Sequence, residues 1–362
     1  MVKKDDPILV SPTATIKEAL KQLDLSARRA LLVADADGVF RGVLTDGDIR
    51  RAILSGKNLD EGIDEVYNKS PKALYEEEYD DETAKRLFLH HHFDLIPILA
   101  RNRTIARYVS WSEFFSGNAA EGEKAEEPSL EYPLVIMAGG KGTRMAPFTK
   151  VLPKPLIPIG DKTILETIID EFRKYGIRTY FFTLNFRGEM IRAYFDGISR
   201  DYTIEYLWEK EFLGTAGRLK LLAPKVPERF FVSNCDIIVK ADYRDVAAFH
   251  ERSGAWITIV SSIQHTQMPY GVVSFGNGGR VTDIKEKPEF SLTINTGVYL
   301  LDGRCVEYIP EGKPFHMTDL IASLLEERKP VFTYPVNEND YIDIGQWKEY
   351  RDVIQSFERG IQ

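Results

Sequence analysis

The stretch Leu134-Val135-Ile136-Met137-Ala138-Gly139-Gly140-Lys141-Gly142-Thr143-Arg144 joins an apolar run to a glycine-rich turn. The apolar run is typical of a short buried strand. Three of the four residues from 139 to 142 are glycines, which let the backbone turn tightly and leave its N–H groups uncovered by side chains. Because a lysine and an arginine lie in the same turn, the stretch suits a triphosphate, whose negative charges need many donors.

Two better-known glycine motifs do not fit this turn. A dinucleotide fingerprint, G-x-G-x-x-G, fails because Met145 stands where its last glycine belongs, and the phosphate-loop pattern G-x-x-x-x-G-K-[ST] does not occur in the chain. The alternative is a turn that only links a strand to the next element. A further cation, Lys154, lies between two prolines on a stiffened segment and favours phosphate binding.

The composition predicts a globular protein of two or three domains. The chain has 362 residues, of which 43% are hydrophobic and 28% charged. A net charge of −8 argues against nucleic-acid binding. No apolar run approaches the length of a membrane helix, and the first residues have no apolar core, so neither a membrane nor a secretory signal is expected. The two cysteines, Cys235 and Cys305, show no zinc spacing, and a reduced cytoplasmic protein is the simplest account.

Residues 1–117 contain an internal repeat in which the pattern returns after 65 residues. Residues 31–33 fall on 96–98, and residues 45–48 fall on 110–113. The copies span about 7–56 and 62–117, and each is predicted to run helix, strand, strand, helix. A two-fold repeat of this size usually buries the apolar face of each copy against the other.

Residues 42–49, Gly-Val-Leu-Thr-Asp-Gly-Asp-Ile, resemble the end of a CBS motif, and residues 1–117 resemble a CBS pair, or Bateman module. Such pairs bind adenosine or guanosine nucleotides, and the resemblance implies that Thr45 contacts phosphate and Asp48 the ribose hydroxyls. Ser110 and Glu113 match less well, so at most one regulatory purine nucleotide site is expected. CBS pairs commonly associate face to face, which implies a homodimer. A dimerisation module without ligand is the alternative.

An acidic linker is predicted at residues 118–131, which carry five glutamates and one lysine. A second domain, 132–362, follows. Its predicted strands are Leu134–Met137, Thr179–Leu184, Phe230–Ser233 and Trp256–Ser261. A helix is predicted over about 164–175, with Thr163 and Glu166 as a capping-box pair at its start. This alternation predicts an α/β fold: a Rossmann-like, mostly parallel sheet with helices on both faces and ligands at the carboxyl ends of its strands.

Two aspartates are candidate magnesium ligands. Asp236 lies three residues after the predicted strand at 230–233, and Asp343 follows a short apolar stretch far along the chain. Mg²⁺ is often held by one or two carboxylates together with substrate phosphate oxygens. Each aspartate alone could be a turn cap, but the glycine turn and the cations favour the metal.

Six motifs between residues 132 and 350 resemble those of sugar-1-phosphate nucleotidyltransferases, whose domain is GT-A-like. They lie at residues 139–144 (GGKGTR), 153–155 (PKP), 213–217 (LGTAG), 286–288 (EKP), 295–297 (NTG) and 343–345 (DIG). In this family a nucleoside triphosphate and a sugar 1-phosphate give a nucleotide-sugar and pyrophosphate.

The resemblance implies a role for each matching residue. The nucleotide is held by Ala138, Gly139, Gly140, Gly142, Thr143, Glu209 and Gly214; catalysis depends on Arg144, Lys154 and Asp236; Mg²⁺ is held by Asp236 and Asp343; and the sugar phosphate contacts Gly271, Glu286, Lys287 and Asn295. Two positions depart from the family pattern: Met145 replaces a common leucine, and Gln346-Trp347 replaces a usual Thr-Pro. Neither has a charged role, but both weaken the transfer of fine sugar specificity.

Glu209 suggests which base is bound. A carboxylate only accepts hydrogen bonds, and guanine offers adjacent N1–H and N2–H₂ donors, so GTP is favoured. Glu211 is a competing candidate, and a solvated loop glutamate is the alternative. A CBS pair joined to this domain resembles glucosamine-1-phosphate guanylyltransferases of legionaminic acid synthesis. Mannose 1-phosphate, heptose 1-phosphate and uridylyl or thymidylyl transfer remain open. A non-catalytic nucleotide-sensing scaffold is disfavoured, because such a chain should have lost some of the charged residues that match the family. All five are present: Arg144, Lys154, Asp236, Lys287 and Asp343.

Overall fold

The computed structural model describes residues 6–110 except 27, 92 and 94, residues 129–345 except 147 and 224, and residues 347, 350, 351 and 354. The chain divides into two compact units, Met1–Glu127 and Pro128–Gln362. Most of the predicted linker, and Glu113, lie outside the described residues. Within the described part, no helix is both long and apolar enough to span a bilayer.

The first unit is built from two three-stranded sheets. Its strands are β1 (Leu9–Val10), β2 (Ala30–Ala34), β3 (Phe40–Thr45), β4 (Leu74–Tyr75), β5 (Leu95–Leu99) and β6 (Ile105–Ser110), and its helices are α1 (Ile16–Ser26), α2 (Asp46–Leu54) and α3 (Asp81–His91). The sheets have the orders β1-β2-β3 and β4-β5-β6. Strands β1 to β3 and helix α1 return 65 residues later as β4 to β6 and α3, as the sequence shift predicts. A register shift in each sheet recurs with the same spacing, at Val33/Ala34 and Ile98/Leu99.

The two copies share one apolar core. Leu32 and Phe40 of the first copy lie in the same buried cluster as Leu95 and Ile105 of the second. Because the two sheets meet through apolar residues, stacking them removes these faces from water. The prediction that the copies bury their faces against each other is therefore confirmed.

The second unit is a large mixed sheet with helices on both faces. After β6, its strands are β7 (Leu134–Met137), β8 (Pro158–Ile159), β9 (Lys162–Thr163), β10 (Thr179–Leu184), β11 (Thr203–Trp208), β12 (Arg229–Asn234), β13 (Ile237–Val239), β14 (Ile257–Gln267), β15 (Val272–Phe275), β16 (Val281–Lys285), β17 (Glu289–Asp302), β18 (Val331–Val336) and β19 (Tyr341–Asp343). Its helices are α4 (Ile164–Arg173), α5 (Gly188–Asp196), α6 (Gly214–Gly217), α7 (Tyr243–Ser253) and α8 (Met317–Glu326).

The central sheet has the order β11-β10-β7-β12-β17-β14-β18. Strands β11, β10, β7 and β12 are mutually parallel, and β17 is antiparallel to both of its neighbours. Consecutive residues of β7 alternate between two cores: Leu134 and Ile136 pack with α4, α5 and α7, whereas Val135 and Met137 pack with α8. The predicted mostly parallel sheet is confirmed, and the carboxyl ends of β7 and β12 lie side by side.

Helix α4 starts and stops for local reasons. Thr163 accepts a hydrogen bond from the N–H of Glu166, whose carboxylate in turn accepts from the N–H of Thr163, which is the predicted capping box. The helix buries Ile164, Leu165, Ile168, Ile169 and Phe172. It ends at Arg173, two residues earlier than predicted.

Buried His250 makes stability depend on pH. Its side chain is 1% exposed and shares a 2.8 Å hydrogen bond between Nδ1 and Thr258 Oγ1. Burial, with nearby Arg229, lowers the pKa of His250 to about 4. A neutral imidazole is therefore fully stabilising above its unfolded pKa of about 6.5, and up to roughly 3 kcal/mol is lost as the pH falls towards 4. Urea unfolding of His250→Asn should show a flatter pH dependence over this range, whereas exposed His316→Asn should follow the wild type.

Candidate active site

The glycine-rich turn leaves β7 at the carboxyl edge of the sheet. Ala138 is buried, and its N–H donates to the carbonyl of Thr183 on β10 at 3.0 Å. Gly142 has a φ of +61°, and a Cβ there would lie 3.0 Å from the Cβ of Lys154. A side chain would be strained at that φ and would displace Lys154. Gly140 and Thr143 lie in the same turn and are both exposed, so the turn is open to solvent.

A buried ion pair lies beneath this turn. Arg218 Nε lies 3.1 Å from Glu209 Oε1, and their side chains are 3% and 0% exposed. The same Nε donates to the carbonyl of Gly214 at 2.8 Å, and Arg218 Nη1 donates to Thr183 Oγ1 at 3.3 Å. Burial raises the pKa of Glu209 and lowers that of Arg218, while each partner opposes the shift of the other. Glu209 Oε1 has no hydrogen-bond partner among the described residues.

The solvated alternative for Glu209 is wrong, because the carboxylate is buried and paired with a cation. A role in reading the base stays a prediction. Glu211, the competing candidate, is exposed.

Gly139 touches this pair, which gives a stability prediction. A Cβ on Gly139 would lie 2.8 Å from Glu209 Oε1 and 3.3 Å from Arg218 Nη1, whereas no atom of the described residues lies within 4 Å of a Cβ on Gly140. Gly139→Ala should therefore lower the free energy of unfolding by about 1–3 kcal/mol, and Gly140→Ala should change it by less than about 0.5 kcal/mol. Urea denaturation measures both; equal effects at the two positions would contradict the close contact.

Asp236 pairs with Lys154 and lies near Asp343, because strands β13 and β19 pair beside the turn. Lys154 is 6% exposed, and its Nζ lies 2.5 Å from Asp236 Oδ2. Strand β13 follows Asp236 and pairs with β19, so that Ile237 lies opposite Asp343 and the N–H of Ile344 donates to the Asp236 carbonyl at 2.9 Å. Burial, reinforced by the negative charge of Asp236, raises the pKa of Asp343.

These two carboxylates fit a divalent cation. Asp236 and Asp343 repel each other electrostatically, which a divalent ion between them would relieve. No group of three or more metal-ligating side chains occurs among the described residues. A magnesium ion held by two carboxylates would keep its other positions for phosphate oxygens and water. The arrangement is therefore compatible with the predicted metal.

The structure brings Arg144, Lys154, Asp236 and Asp343 into one electrostatic group. The positive charges of Lys154 and Arg144 both act on Asp343, against the effect of burial. Arg144 lies in the 3₁₀ turn Thr143–Met145 and is exposed. Two cations and two carboxylates thus lie beside a glycine turn at one edge of the sheet.

Three of the four predicted sugar-phosphate residues flank a hairpin formed by β15 and β16. Gly271, Glu286 and Lys287 are exposed, and a Cβ on Gly271 would lie 2.9 Å from Glu286 Oε2. Lys287 has a φ of +45°, which is unusual for a residue other than glycine. Strain of this kind is often retained at functional sites. Asn295 lies further along, on β17, and its Nδ2 donates to the Tyr299 hydroxyl at 2.8 Å.

A cavity of about 200 Å³ opens near these elements. It is lined by Met137, Thr215, Val232, Asn234, Tyr299, His316, Met317 and Thr318. The first residues of α6 and α8 form one wall of the cavity. They are joined by a hydrogen bond from the N–H of Met317 to Thr215 Oγ1 at 2.9 Å. The cavity therefore carries several hydroxyl and amide groups and adjoins the strand ends that lead to Gly139 and Asp236.

In the first unit, the two predicted nucleotide ligands are hydrogen-bonded to each other. Thr45 caps α2, and its N–H and hydroxyl donate to Asp48 Oδ2 at 2.9 and 2.6 Å. Asp48 Oδ1 lies 2.5 Å from Arg51. A capping box accounts for both residues locally. Their contact with a purine nucleotide stays a prediction.

Sequence reasoning missed three features that depend on distant contacts. Arg218 follows the LGTAG motif, but nothing in the pattern indicates that it is buried. The cavity residues come from five separate elements. Trp347 departs from the family pattern and was given no role in the sequence analysis. Its Nε1 donates to the carbonyl of Ala146 at 2.7 Å, next to Met145, the other departure.

Together, the glycine turn, the clustered cations and the paired carboxylates at the edge of an α/β sheet have the chemistry of a phosphate-binding site. Comparison with known families agrees: residues 134–360 match the nucleotidyl transferase family, and residues 1–55 match the CBS domain. The chain therefore belongs to the nucleotidyl transferase family and carries an N-terminal CBS domain.

Known relatives of the chain differ in substrate. It is 31% identical over 242 residues to a UTP–glucose-1-phosphate uridylyltransferase of Synechocystis sp., covering 61% of this chain and 62% of the relative. It is 33% identical over 226 residues to a mannose-1-phosphate guanyltransferase of Debaryomyces hansenii, covering 60% and 62%. The chain thus spans about 62% of the length of these relatives. A UDP-glucose pyrophosphorylase complexed with UDP-glucose shares the fold, with a TM-score of 0.50 and 19% identity over 64% of this chain and all of that one.

Proposed function

We propose that this protein is a sugar-1-phosphate nucleotidyltransferase, which makes a nucleotide-sugar and pyrophosphate. The observation that carries the proposal is the cluster of Lys154, Asp236 and Asp343 beside the glycine turn, with the positive charge of Arg144 acting on Asp343. Family membership supports this chemistry, and both relatives named above act on a sugar 1-phosphate.

The proposed reaction needs charge neutralisation and alignment rather than a protein base. An oxygen of the sugar phosphate, already anionic, forms a bond to the α-phosphorus, and the bond from that phosphorus to the bridging oxygen breaks, releasing pyrophosphate. Arg144 and Lys154 stabilise the growing negative charge, and the turn's backbone N–H groups orient the triphosphate. Asp236 and Asp343 would hold Mg²⁺, which supplies Lewis-acid stabilisation of the phosphates. Before substrate binds, Lys154 is paired with Asp236.

The sugar is proposed to enter the cavity beside Thr215 and Asn234. Its polar groups suit ring hydroxyls, and the Tyr299 hydroxyl in its wall accepts a hydrogen bond from Asn295, a predicted sugar ligand. Glu286 and Lys287, which follow β16, would then contact the sugar phosphate. Glucosamine 1-phosphate of legionaminic acid synthesis is the proposed sugar, with mannose and heptose 1-phosphates as the alternatives.

GTP is the proposed nucleotide. Among the described residues Glu209 Oε1 accepts no hydrogen bond, and guanine N1–H and N2–H₂ would supply donors. Because this carboxylate is closed to solvent, base binding requires the surrounding turn to open. The guanyltransferase relative supports GTP, and the uridylyltransferase relative supports the competing assignment. A cytoplasmic homodimer with a purine nucleotide at Thr45 and Asp48 completes the proposal.

A substrate matrix tests these assignments. Each common nucleoside triphosphate is paired with glucosamine, mannose and heptose 1-phosphates, and Mg²⁺-dependent pyrophosphate release is measured. GTP with glucosamine 1-phosphate should give the highest kcat/KM. UTP or dTTP clearly exceeding GTP would exclude the guanine assignment, and no release from any pair would exclude the enzyme assignment. For the CBS domain, unchanged kinetics of Asp48→Ala at every nucleotide concentration would exclude regulation.

A further inference from the structure

The segment between the two predicted triphosphate cations is held by side chains from elsewhere in the chain. Trp347 Nε1 donates to the Ala146 carbonyl at 2.7 Å. Arg187 donates to the carbonyls of Lys150 and Val151 at 2.8 and 2.9 Å. Arg187 itself has a φ of +55°, a conformation that costs free energy and persists where surrounding contacts require it. The backbone that carries Arg144 and leads to Lys154 is thus fixed from outside.

Trp347 also makes an aromatic contact with this segment. Its ring lies 4.7 Å from that of Phe148, at an interplanar angle of 33°. Tyr350 packs edge-on against Trp347 at 5.7 Å, and its hydroxyl donates to the Pro158 carbonyl at 2.9 Å. Phe148 is 42% exposed, so simple burial accounts poorly for an aromatic residue at this position. Aromatic ring pairs at these centroid separations contribute beyond the area they bury.

The same tryptophan lies four residues after Asp343. Between them, the N–H of Gly345 donates to Asp343 Oδ1 at 2.6 Å, and the N–H of Ile344 donates to the Asp236 carbonyl at 2.9 Å. The segment that begins at Asp343, a predicted metal ligand, therefore ends at Trp347, which hydrogen-bonds the backbone two residues after Arg144. Both family departures, near Met145 and at Trp347, meet at this contact.

We propose that Trp347, with Phe148 as its partner, is a positioning residue for the triphosphate. Its hydrogen bond and ring contact connect the segment that contains Asp343 to the turn that contains Arg144. The distance between the Arg144 guanidinium and the Asp343 carboxylate is therefore fixed before the nucleotide binds. Preorganisation of this kind lowers the ordering cost paid on binding. The inference rests on the proposed function only in that a nucleoside triphosphate is the ligand.

The test uses the full chain and separates the hydrogen bond from the ring contact. Trp347→Phe keeps an aromatic ring and removes the N–H, Trp347→Ala removes both, and Phe148→Ala removes the partner. Trp256→Phe is the matched control, since Trp256 is also half-buried with a ring neighbour, Tyr308 at 5.8 Å, and its carbonyl accepts from Asp302 at the opposite edge of the sheet. The readouts are kcat, the KM for each substrate, the thermal midpoint, and calorimetric affinity for a GTP analogue with a non-hydrolysable α,β bridge.

Trp347→Phe should weaken analogue binding and kcat/KM for the nucleotide by about fivefold, and Trp347→Ala by about thirtyfold. The KM for sugar 1-phosphate and the thermal midpoint should stay near wild type in Trp347→Phe. Trp347→Ala/Phe148→Ala should be no worse than Trp347→Ala, because the two rings act as a unit.

Analogue affinity within about twofold of wild type in both Trp347 variants would overturn the proposal. So would losses that fall equally on both substrates, or that accompany a lowered thermal midpoint in Trp347→Phe. If the wild type binds the analogue but releases no pyrophosphate with any sugar phosphate, the proposed function fails, while the affinity comparison still decides the role of Trp347.

Discussion

Replacing Asp236 by asparagine is expected to lower kcat by about 10³-fold. The neutral amide removes one of the two carboxylates that fit Mg²⁺ and leaves Lys154, which is 6% exposed, without its anionic partner 2.5 Å away. Pyrophosphate release at saturating substrates measures the effect. Because asparagine retains an oxygen acceptor for Lys154, the fold should survive, and circular dichroism should match that of the wild type.

Asp201→Asn is the matched control for this change. Asp201 also pairs with a cation, Arg173, at 2.6 Å, but it is 55% exposed and belongs to a different cluster. Its loss should change kcat by less than about twofold, since exposed ion pairs contribute little. A raised Mg²⁺ requirement in both Asp236→Asn and Asp343→Asn would support a shared metal. Retention of kcat within about fivefold of wild type in Asp236→Asn would contradict its catalytic assignment.

Replacing Arg218 by methionine should cost about 3–5 kcal/mol of stability. The change leaves the carboxylate of Glu209, whose side chain is 0% exposed, without a cation in a dry environment. It also removes the donors to the Gly214 carbonyl and Thr183 Oγ1. Urea denaturation gives the free energy. Arg218→Met/Glu209→Gln should recover part of the loss, because the uncompensated charge is gone.

The stability of the single variant Arg218→Met should depend on pH in a defined direction. Burial already raises the pKa of Glu209, and Arg218 holds it down, so the variant's pKa should rise further. A carboxyl group whose folded pKa exceeds its unfolded value stabilises the protein at low pH and loses this contribution as the pH rises through the folded pKa. The deficit against the wild type should therefore be larger at about pH 8 than at about pH 5. An equal deficit at both values would indicate that lost packing, rather than the charge, dominates.

Local sequence signals predicted the elements that are fixed by local physics. The bounds of β7 and β10 agree with the predicted strands, because each is a buried apolar run. The capping box of Thr163 and Glu166 was readable because both residues lie within one helical turn. Strand β14 was predicted too short and β17 was not predicted: β14 continues to Gln267 through residues that are partly exposed. Polar residues there give no apolar pattern, and pairing with β17 extends the strand.

The sequence by itself determined the class of fold, the repeat of 65 residues in the first unit, and the residue types needed to bind a triphosphate. These follow from apolar periodicity and from motifs whose members are close in the chain. Only the tertiary structure decided that Lys154 pairs with Asp236, that Glu209 is buried against Arg218, and that Trp347 reaches Ala146. Each of these contacts joins residues from different elements, and their energies depend on burial and geometry that exist only once the sheet has assembled.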